Sequence, residues 1–554
     1  MKTYGIYLAF PPTVDMRAEG LGRHLAEFLR GAQDREDIRF AIACPSWGSE
    51  NLTKLFDAFG IDARQFEIIS PAKEPLLLRM HRAYLAFRRR RKRRGRLARL
   101  ARHLRNIAGG YRTYVERTVV GSRSLVLVVL LLAAALPFIL IGALAAALGI
   151  AFSSIRLLLR FCLRQLWHVG GRRFATRVRR IAVVMSRPKD DTMVTRLYRA
   201  MEDVEAGLMR QLINARPDIA AWYSPTAFWP HFNNISAPRL MCVPDVVLGD
   251  FPVGFSNVGG SRFLDNFHQI ERAISGGQHF VTYSQQVKWH TLVDRYHVDP
   301  DMVSVVPHGA NRLDQLVTVS GFPDNEATAI AWCRRVFQDA LGKATDQISA
   351  GVALRGNVKF LFYASQFRPN KNVLSLLRAY DYLLKRRYIG HKLVVTGDPR
   401  LIPELEAFID EHNLKNDVLC LSGLTEQELA ACYRLADLAV NPSLSEGGCP
   451  FTFSEALSVG TPALMARIPV TEEVITSQEL RDLMLFDPYD WKDIAAKIEW
   501  ALAHGEFLLE KQKPFYEQLA KRTWRTVVDE YIAILNRIST GEMIDGQVDD
   551  VRAA

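Results

Sequence analysis

Residues 441–464 read NPSLSEGGCPFTFSEALSVGTPAL, and they carry the strongest fold signal in this chain. The apolar residues 438–440 end a short strand, and the glycine pair at 447–448 predicts a turn after it. Residues 454–459 then have the spacing of a helix, which Gly460 is placed to end. A strand, a glycine-containing loop and a helix together form the repeating unit of a doubly wound α/β domain.

The same alternation extends in both directions along the chain. Strand and helix patterns follow one another from VKFLFYAS at 358–365 to about residue 510. Near the N-terminus, residues 2–9 predict a strand, residues 20–31 a helix after a glycine turn, and residues 38–44 a second strand. Because 554 residues are too many for one ordinary core, we expect two doubly wound, Rossmann-like α/β domains that face a cleft.

A strongly basic segment interrupts the first domain. Residues 73–189 hold 27 Lys+Arg and 2 Asp+Glu, whereas the rest of the chain holds 44 basic and 57 acidic residues. The formal net charge of +12 therefore comes from one insert in an acidic protein body. Such an asymmetry predicts a polyanionic partner, which is either an anionic membrane surface or a nucleic acid.

Within the insert, Ser124–Ile155 is a run of 32 residues without a charged side chain. As one straight helix it would span roughly 48 Å, against a hydrocarbon core of about 30 Å, and Pro137 would kink it. Basic flanks on both sides place both ends at the cytoplasmic face. We expect a re-entrant or monotopic helical hairpin that anionic lipids hold. The alternative is a hairpin buried in a soluble enzyme, with the arginines facing solvent or nucleic acid.

Two cations follow the first strand of the second domain. Arg368 and Lys371 belong to the segment RPNK, in the loop between that strand and the next helix. Ligands of doubly wound sheets bind beyond the carboxyl ends of the strands, and two cations there suit a diphosphate. The alternative is an ordinary solvated loop.

Two glutamates flank the glycine pair of the second domain. Backbone N–H groups of residues 447–451 and of the following helix can hold an anion. Glu446 and Glu455, on either side, can accept strong hydrogen bonds from sugar or ribose hydroxyls. The alternative is that Glu446 is a turn residue and Glu455 a charge in the first turn of a helix.

Together, the motifs from Arg368 to Thr461 resemble those of family-4 retaining glycosyltransferases. That family has an Arg…Lys pair on the first loop of the C-terminal domain, and later two glutamates with seven residues between them that lead into Glu-Ala-…-Gly-Thr-Pro. Here these motifs read RPNK and EGGCPFTFSEALSVGTP. Residues 283–311, YSQQVKWHTLVDRYHVDPDMVSVVPHGAN, are similar to the family's Ser-…-Tyr-…-Pro-x-Gly segment. The resemblance covers about 350 residues and implies a GT-B fold and a retaining glycosyltransferase of the bacterial, membrane-associated type.

The resemblance also implies a role for each motif residue. Arg368 and Lys371 would hold the diphosphate of a nucleotide-sugar donor. Glu446 would contact hydroxyls of the donor sugar, and Glu455 would contact the ribose. The glycines that let backbone approach the donor phosphates would be Gly20, Gly22, Gly447 and Gly448.

The chain departs from the family pattern at two places. Eight residues separate Glu446 from Glu455 instead of seven, which changes the loop that would hold phosphate. Many relatives carry His-Asp at the end of a first-domain strand, where the acceptor approaches, but this chain has Pro244-Asp245. Asp245 and His231 are the candidates on the acceptor side, and the alternative for His231 is a structural histidine.

These patterns predict the domain boundaries. The expected segments are an N-terminal acceptor-side domain at 1–72 and 190–325, the membrane-associated insert at 73–189, a C-terminal nucleotide-sugar-binding domain at 326–510, helices at 511–540 that return to the N-terminal domain, and a tail at 541–554.

The expected activity is that of a hexosyltransferase of bacterial surface polysaccharide synthesis. Its partners would be a nucleotide diphosphate sugar, a lipid-linked or saccharide acceptor, and anionic lipids at the cytoplasmic face of the inner membrane. No Asp-x-Asp motif lies at a plausible donor loop, so we expect no metal and no other cofactor. Seven scattered cysteines without a CxxC pair predict a reducing compartment.

Three other functions compete with this one. A GT-B fold also serves sugar epimerases and phosphorylases, and the chain could be an inactive membrane scaffold. A nucleic-acid-binding protein is the third, but the basic segment at 88–105 lacks the interleaved aromatic residues that stack on bases. We therefore expect no nucleic-acid partner.

Overall fold

A computed structural model of the chain describes residues 1–14, 16, 20–93, 126, 193–259, 261–344 and 358–541. The chain divides into two compact units, one formed by Met1–Lys73 with Thr192–Ala554 and the other by Glu74–Asp191. In the second unit the described structure is the helix Leu76–Arg93 and the single residue Val126. Apart from Val126, the predicted membrane-associated run Ser124–Ile155 lies outside the described residues. Within the described ranges, no helix combines the length and apolar character needed to cross a bilayer.

The first unit contains two parallel sheets, and the first of these has seven strands. Its strand order is β3-β2-β1-β4-β5-β6-β7, the order of a doubly wound domain. The strands are β1 (Lys2–Tyr7), β2 (Ile38–Ala43), β3 (Phe66–Ile69), β4 (Ile219–Ser224), β5 (Arg239–Cys242), β6 (His279–Thr282) and β7 (Val303–Val305). Gly5 lies opposite Trp222 in the β1–β4 pair, and a Cβ at Gly5 would lie 2.1 Å from the indole ring. Only glycine at this position leaves room for the buried tryptophan.

Helices connect these strands, and the first of them shows why they form. In the helix Gly20–Gly31, Leu25, Phe28 and Leu29 are buried at the three- and four-residue spacing of one helical face. The remaining helices of this domain are Ser49–Phe59, Met193–Asn214, Val247–Asp250, Pro252–Gly259 and Ser261–Ser275, with a π-helical segment at Val287–Arg295 and 3-10 turns at Pro230–Asn234 and Pro300–Met302.

The second sheet has six strands in the order β10-β9-β8-β11-β12-β13, again parallel throughout. The strands are β8 (Phe360–Tyr363), β9 (Lys392–Val395), β10 (Val418–Cys420), β11 (Leu438–Asn441), β12 (Ala463–Ala466) and β13 (Leu485–Phe486). Its helices are Asp314–Val317, Asn325–Leu341, Val373–Arg386, Pro403–Glu411, Glu426–Leu435, Phe451–Ser458, Pro469–Val474, Gln478–Met484, Trp491–Ala503 and Gly505–Ala520, with 3-10 turns at Pro369–Lys371 and Pro399–Leu401. The predicted two Rossmann-like domains are therefore confirmed.

The two hydrophobic cores show where the chain passes from one domain to the other. Leu313 and Val317 lie in the core of the second sheet, so the second domain begins before the expected boundary at 326. At the other end, Leu508 is still buried in that core, whereas the helix Trp524–Thr540 packs on β4 and on the first helix of the chain. The return to the first domain thus occurs at Trp524 and not at 511, because the apolar face of the preceding helix belongs to the second core.

Candidate functional site

A cavity of about 710 Å³ lies between the two domains, and we call it the central cavity. In the first domain its walls include Phe10 after β1, Thr226 after β4 and Asp245 after β5. In the second domain they include Arg368 after β8 and Phe451 after β11. Each sheet reverses its strand order beside β1 or β8, which is where doubly wound domains bind their ligands.

The basic loop, residues 364–372, presents the two predicted cations. Arg368 precedes the 3-10 turn Pro369–Lys371 and lines the central cavity, and the Lys371 amide N–H donates to the Arg368 carbonyl at 2.9 Å. Asn372 ends the turn in the left-handed conformation, with φ 51°, which asparagine adopts more readily than most residues. The Tyr363 hydroxyl donates to the Lys371 carbonyl at 3.3 Å and fixes the loop on its strand.

Lys371 is paired with the first of the two glutamates. Its ammonium Nζ lies 2.5 Å from Oε1 of Glu446, and both side chains are largely buried. Burial acts to lower the pKa of Lys371, but the charges of Glu446, Tyr363 and Asp245 outweigh it and raise the pKa, so the ammonium remains charged. Burial also raises the pKa of Asp245, with Glu446 adding to the effect and Lys371 opposing it. Lys371, Glu446 and Asp245 therefore form one interacting charge cluster.

The glycine loop, residues 442–450, crosses from the second domain to the first. A Cβ at Gly447 would lie 1.8 Å from the carbonyl oxygen of Pro244, so backbone meets backbone there. The Ser284 hydroxyl donates to the Gly447 carbonyl at 2.9 Å. A Cβ at Gly448 would lie 3.0 Å from that of Tyr283. The glycine pair thus brings the two domains into close contact beside the central cavity.

The second glutamate is held from the first domain. Glu455 is 4% exposed, and its Oε1 accepts a hydrogen bond from the Asn311 amide at 3.2 Å. The same oxygen lies 3.1 Å from a guanidinium nitrogen of Arg23, whose Nε donates to Glu426 at 3.0 Å. Because Arg23 and Asn311 line the central cavity, they link the buried carboxylate to that space.

A further contact joins the domains at the start of the π-helical segment. The Glu473 carboxylate accepts hydrogen bonds from the backbone N–H groups of Gln285 at 2.8 Å and Gln286 at 3.0 Å. These amides have no partner within their own helical turn, and a carboxylate at a helix start is stabilising.

The structure separates the predicted site residues into two groups. Arg368, Asp245 and Gly20 line the central cavity. Lys371, Glu446, Glu455 and the glycine pair are not among its described lining residues, but they interact with residues that line it. Gly22 is not among the lining residues of the central cavity, and a Cβ there would lie 2.0 Å from the Met16 carbonyl oxygen. Glycine at this position therefore allows close packing of the first helix on the preceding segment, and its predicted contact with a donor phosphate stays a prediction.

His231 also lies apart from the central cavity. It lines a neighbouring cavity of about 620 Å³, which we call the side cavity, and its Nε2 lies 3.0 Å from the Asp203 carboxylate. The charge pair is exposed on one wall of the first domain. His231 is therefore placed for contact with a ligand of the side cavity rather than with the cluster around Lys371.

Several residues of the site were not identified from the sequence. Arg23 and Asn311 stand within segments that the sequence singled out, but their pairing with Glu455 joins distant parts of the chain. His24 and His308 line the central cavity with ring centroids 5.5 Å apart. Burial lowers the pKa of His24 to about 4, and it lowers the pKa of His308 well below its usual 6.5, so both imidazoles are neutral near pH 7.

A metal centre was not expected, and the described part of the chain contains no group of three His, Cys, Asp or Glu side chains placed to hold an ion.

The fold and the site define a two-domain α/β protein of the GT-B class. Residues 345–522, which lie mostly in the second domain, match the family model described as glycosyl transferases group 1. This confirms the predicted resemblance to that group. Assignment to family 4 and to a membrane-associated type stays a prediction.

Related proteins agree with this assignment. The serotype-specific mannosyltransferase WbdA of Escherichia coli is 30% identical over 203 residues, which are 35% of this chain and 24% of that protein. The lipopolysaccharide 1,2-N-acetylglucosaminetransferase of Salmonella typhimurium is 24% identical over 195 residues, 34% of this chain and 50% of that protein. The chain thus spans about a quarter of WbdA and half of the second relative.

The fold of the chain also has a solved counterpart. Anabaena HepE, in complex with UDP and glucose, superimposes with a TM-score of 0.53 at 12% identity, over 97% of this chain and all of that one. At this identity the likeness establishes the shared fold.

Proposed function

We propose that this protein transfers a sugar from a nucleotide diphosphate donor to a saccharide acceptor. The observation that carries the proposal is the placement of two cations and two carboxylates at or behind the walls of the central cavity. Arg368 lines it, the Lys371–Glu446 pair interacts with Asp245 of its wall, and Glu455 contacts Arg23 and Asn311 of its wall. Its volume of about 710 Å³ lies within the range of small-molecule sites. The names of the relatives, and the UDP and glucose bound to HepE, support a nucleotide-sugar donor.

The charge pairs suggest how the donor binds. Phosphate oxygens would replace Glu446 as the partner of Lys371, and the carboxylate so released would accept hydrogen bonds from the sugar hydroxyls. Arg368 would hold the same diphosphate from the cavity wall. Glu455, fixed by Arg23 and Asn311, would accept a hydrogen bond from the ribose. Donor binding thus exchanges charge pairs within the site and leaves no buried charge unpaired.

In the reaction, the bond between the anomeric carbon and the phosphate oxygen breaks, and the acceptor hydroxyl oxygen forms the new bond. We propose front-face attack with retention of configuration, in which the departing phosphate takes the acceptor's proton. Lys371 and Arg368 would stabilise the charge that develops on the leaving diphosphate, which is the largest catalytic contribution in such sites. We propose that these two cations replace a metal ion.

We further propose that the acceptor is lipid-linked and that transfer occurs at the cytoplasmic face of the inner membrane, in bacterial surface polysaccharide synthesis. The basic insert with its uncharged run supports a membrane surface, since each lysine or arginine near anionic lipid contributes about 1 kcal/mol. The lipopolysaccharide enzyme among the relatives supports a saccharide of the cell surface.

The test is an incubation of the full-length protein with labelled nucleotide sugars and a bacterial membrane lipid extract, followed by chromatography of the lipids. We expect one donor to give a labelled glycolipid with the protein and none with Lys371→Ala. Conversion of the nucleotide sugar to an epimer without transfer would contradict the proposal and indicate an epimerase. Release of sugar phosphate from glycan and inorganic phosphate would indicate a phosphorylase.

A further inference from the structure

The side cavity adjoins the central cavity along one wall of the first domain. Five residues line both spaces: Ala9, Glu202, Phe228, Trp229 and Gln269. The side cavity holds about 620 Å³, and its other walls come mainly from the helices Met193–Asn214 and Ser261–Ser275. The two cavities are therefore adjacent, and these five residues lie between them.

Glu202 stands at the junction of the two cavities. It is partly buried, and no described side chain or backbone group forms a hydrogen bond or an ion pair with its carboxylate. The neighbouring polar side chains on the same wall are otherwise engaged, since Arg199 lies 2.6 Å from Asp265 and the His231 imidazole lies 3.0 Å from Asp203. A partly buried carboxylate without a hydrogen-bond partner among the described residues can accept hydrogen bonds from a ligand.

The remaining lining fits a neutral sugar better than a charged one. Phe228 is 45% exposed and offers an aromatic surface for the apolar face of a sugar ring. Two arginines and three carboxylates line the side cavity, so its net charge is small and its polar groups favour hydroxyl groups over a net charge. The position beside the central cavity is where an acceptor must lie if the donor occupies the space between Arg368 and Glu455.

We propose that the side cavity binds a neutral acceptor saccharide and that Glu202 accepts a hydrogen bond from the acceptor at the junction, which positions the attacking hydroxyl. This inference rests on the proposed glycosyl transfer. The chain has Pro244-Asp245 where many members of the resembled family have a histidine and an aspartate. In this proposal, Glu202 takes part in positioning the acceptor in the absence of that histidine.

The protonation state of Glu202 gives the proposal a second readout. The pKa of Glu202 is raised to about 7, mainly by burial, with the nearby Asp203 adding to the increase and Arg199 opposing it. The ionised form accepts the stronger hydrogen bond, so acceptor binding strengthens as pH rises through 7. The titratable and charged groups that face the junction from the surrounding elements are Arg199, Asp203, His231, Asp265, His268 and Arg272.

The experiment compares Glu202→Gln, Glu202→Asp and wild type in the transfer assay, with the lipid extract varied in concentration at saturating donor. Loss of a hydrogen bond to a charged group is expected to lower kcat/KM for the extract about 10- to 100-fold in Glu202→Gln. The decrease in kcat/KM should come mainly from a higher KM for the extract. Glu202→Asp, which keeps the carboxylate, should retain part of the wild-type kcat/KM. The rise in kcat/KM between pH 6 and 8 should be smaller in Glu202→Gln than in wild type.

The matched control is Glu36→Gln, which alters an exposed glutamate away from both cavities and should behave as wild type. The melting-temperature increase caused by nucleoside diphosphate should be unchanged in every variant. Normal transfer by Glu202→Gln, with a normal pH profile, would overturn this inference and leave the proposed function intact. No transfer by wild type to any extract would overturn the proposed function, and this inference with it.

Discussion

The two domains share one strand order, yet they line the central cavity with different chemistry. The second domain contributes Arg368 and, just beside it, the Lys371–Glu446 pair, all in motifs that the family shares. The first domain contributes aromatic side chains, the neutral imidazoles of His24 and His308, and carboxylates without a family motif. The family model likewise matches only residues 345–522. The comparison suggests that one domain is built for a common donor group, whereas the other is adapted to a particular acceptor.

The most direct test of the second domain's contribution to catalysis is the substitution Lys371→Ala. Removing a cation that stabilises the leaving diphosphate should lower turnover about 10²- to 10³-fold. Lys371→Arg should retain part of the activity because it keeps the charge. The measurement is steady-state transfer at saturating donor, together with the melting temperature.

The matched control for this lysine is Lys513→Ala, which removes an exposed lysine of the same domain. It should leave turnover unchanged. Turnover near the wild-type value in a folded Lys371→Ala protein would show that the second domain does not supply the catalytic charge.

Contact between the domains is tested by Gly447→Ala. The added methyl group would collide with the Pro244 carbonyl. The carbonyl belongs to the backbone and cannot rotate away as a side chain could, so the domains must move apart. A shift of the domains by about 1 Å is expected to lower turnover about 10²-fold, because the reacting groups would no longer be aligned. Gly390→Ala, which places its methyl group in open space, should be neutral in the same assay. Equal activities of the two variants would mean that the glycine loop does not set the domain arrangement.

The roles of the two glutamates can be separated by titration calorimetry. Glu455→Gln should weaken both a nucleoside diphosphate and the matching sugar nucleotide about 10-fold, because the ribose is common to both ligands. Glu446→Gln should weaken the sugar nucleotide alone. If both variants lose affinity for both ligands equally, the assigned division between sugar and ribose is wrong.

The smallest effect concerns the imidazoles in the first domain. Burial lowers the pKa of His24 from its usual 6.5 to about 4, so the folded state binds this proton more weakly than the unfolded state. The resulting stability is complete above pH 6.5 and is lost as pH falls toward 4. Between these values the melting temperature of wild type should fall more steeply than that of His24→Gln. Parallel curves would show that His24 ionises freely in the folded protein.

The sequence predicted the sheets and the second-domain motifs well because both depend on local patterns. Apolar runs mark β8 and β11, and the residues after them reach the cavity simply because parallel strands end at one edge. Pairings across the chain were not accessible in this way. Arg23 meets Glu455, and Gly447 meets Pro244, only after both domains have folded and packed together.

The residues proposed for the acceptor side were even less predictable from local sequence patterns. Glu202 lies in the helix Met193–Asn214, which the spacing of apolar residues in the sequence predicts. In the sequence, the glutamates of this helix look like ordinary surface charges. Its place at the junction of two cavities depends on β1, on the turn at Pro230–Asn234 and on the helix Ser261–Ser275, which no local pattern connects. Gly22 illustrates a related ambiguity, since close packing and ligand approach both select glycine.

The central claim, that the cations and carboxylates around the central cavity hold an activated sugar, is tested most directly by ligand-induced stabilisation. A panel of nucleoside diphosphates is added to wild type and to Arg368→Ala, and the melting temperatures are compared. We expect one diphosphate to raise the melting temperature of wild type. At 100 times its Kd it should add about 2.7 kcal/mol to the free energy of unfolding. The same diphosphate should stabilise Arg368→Ala much less. An equal increase in the two proteins, or none with any diphosphate in wild type, would contradict the account.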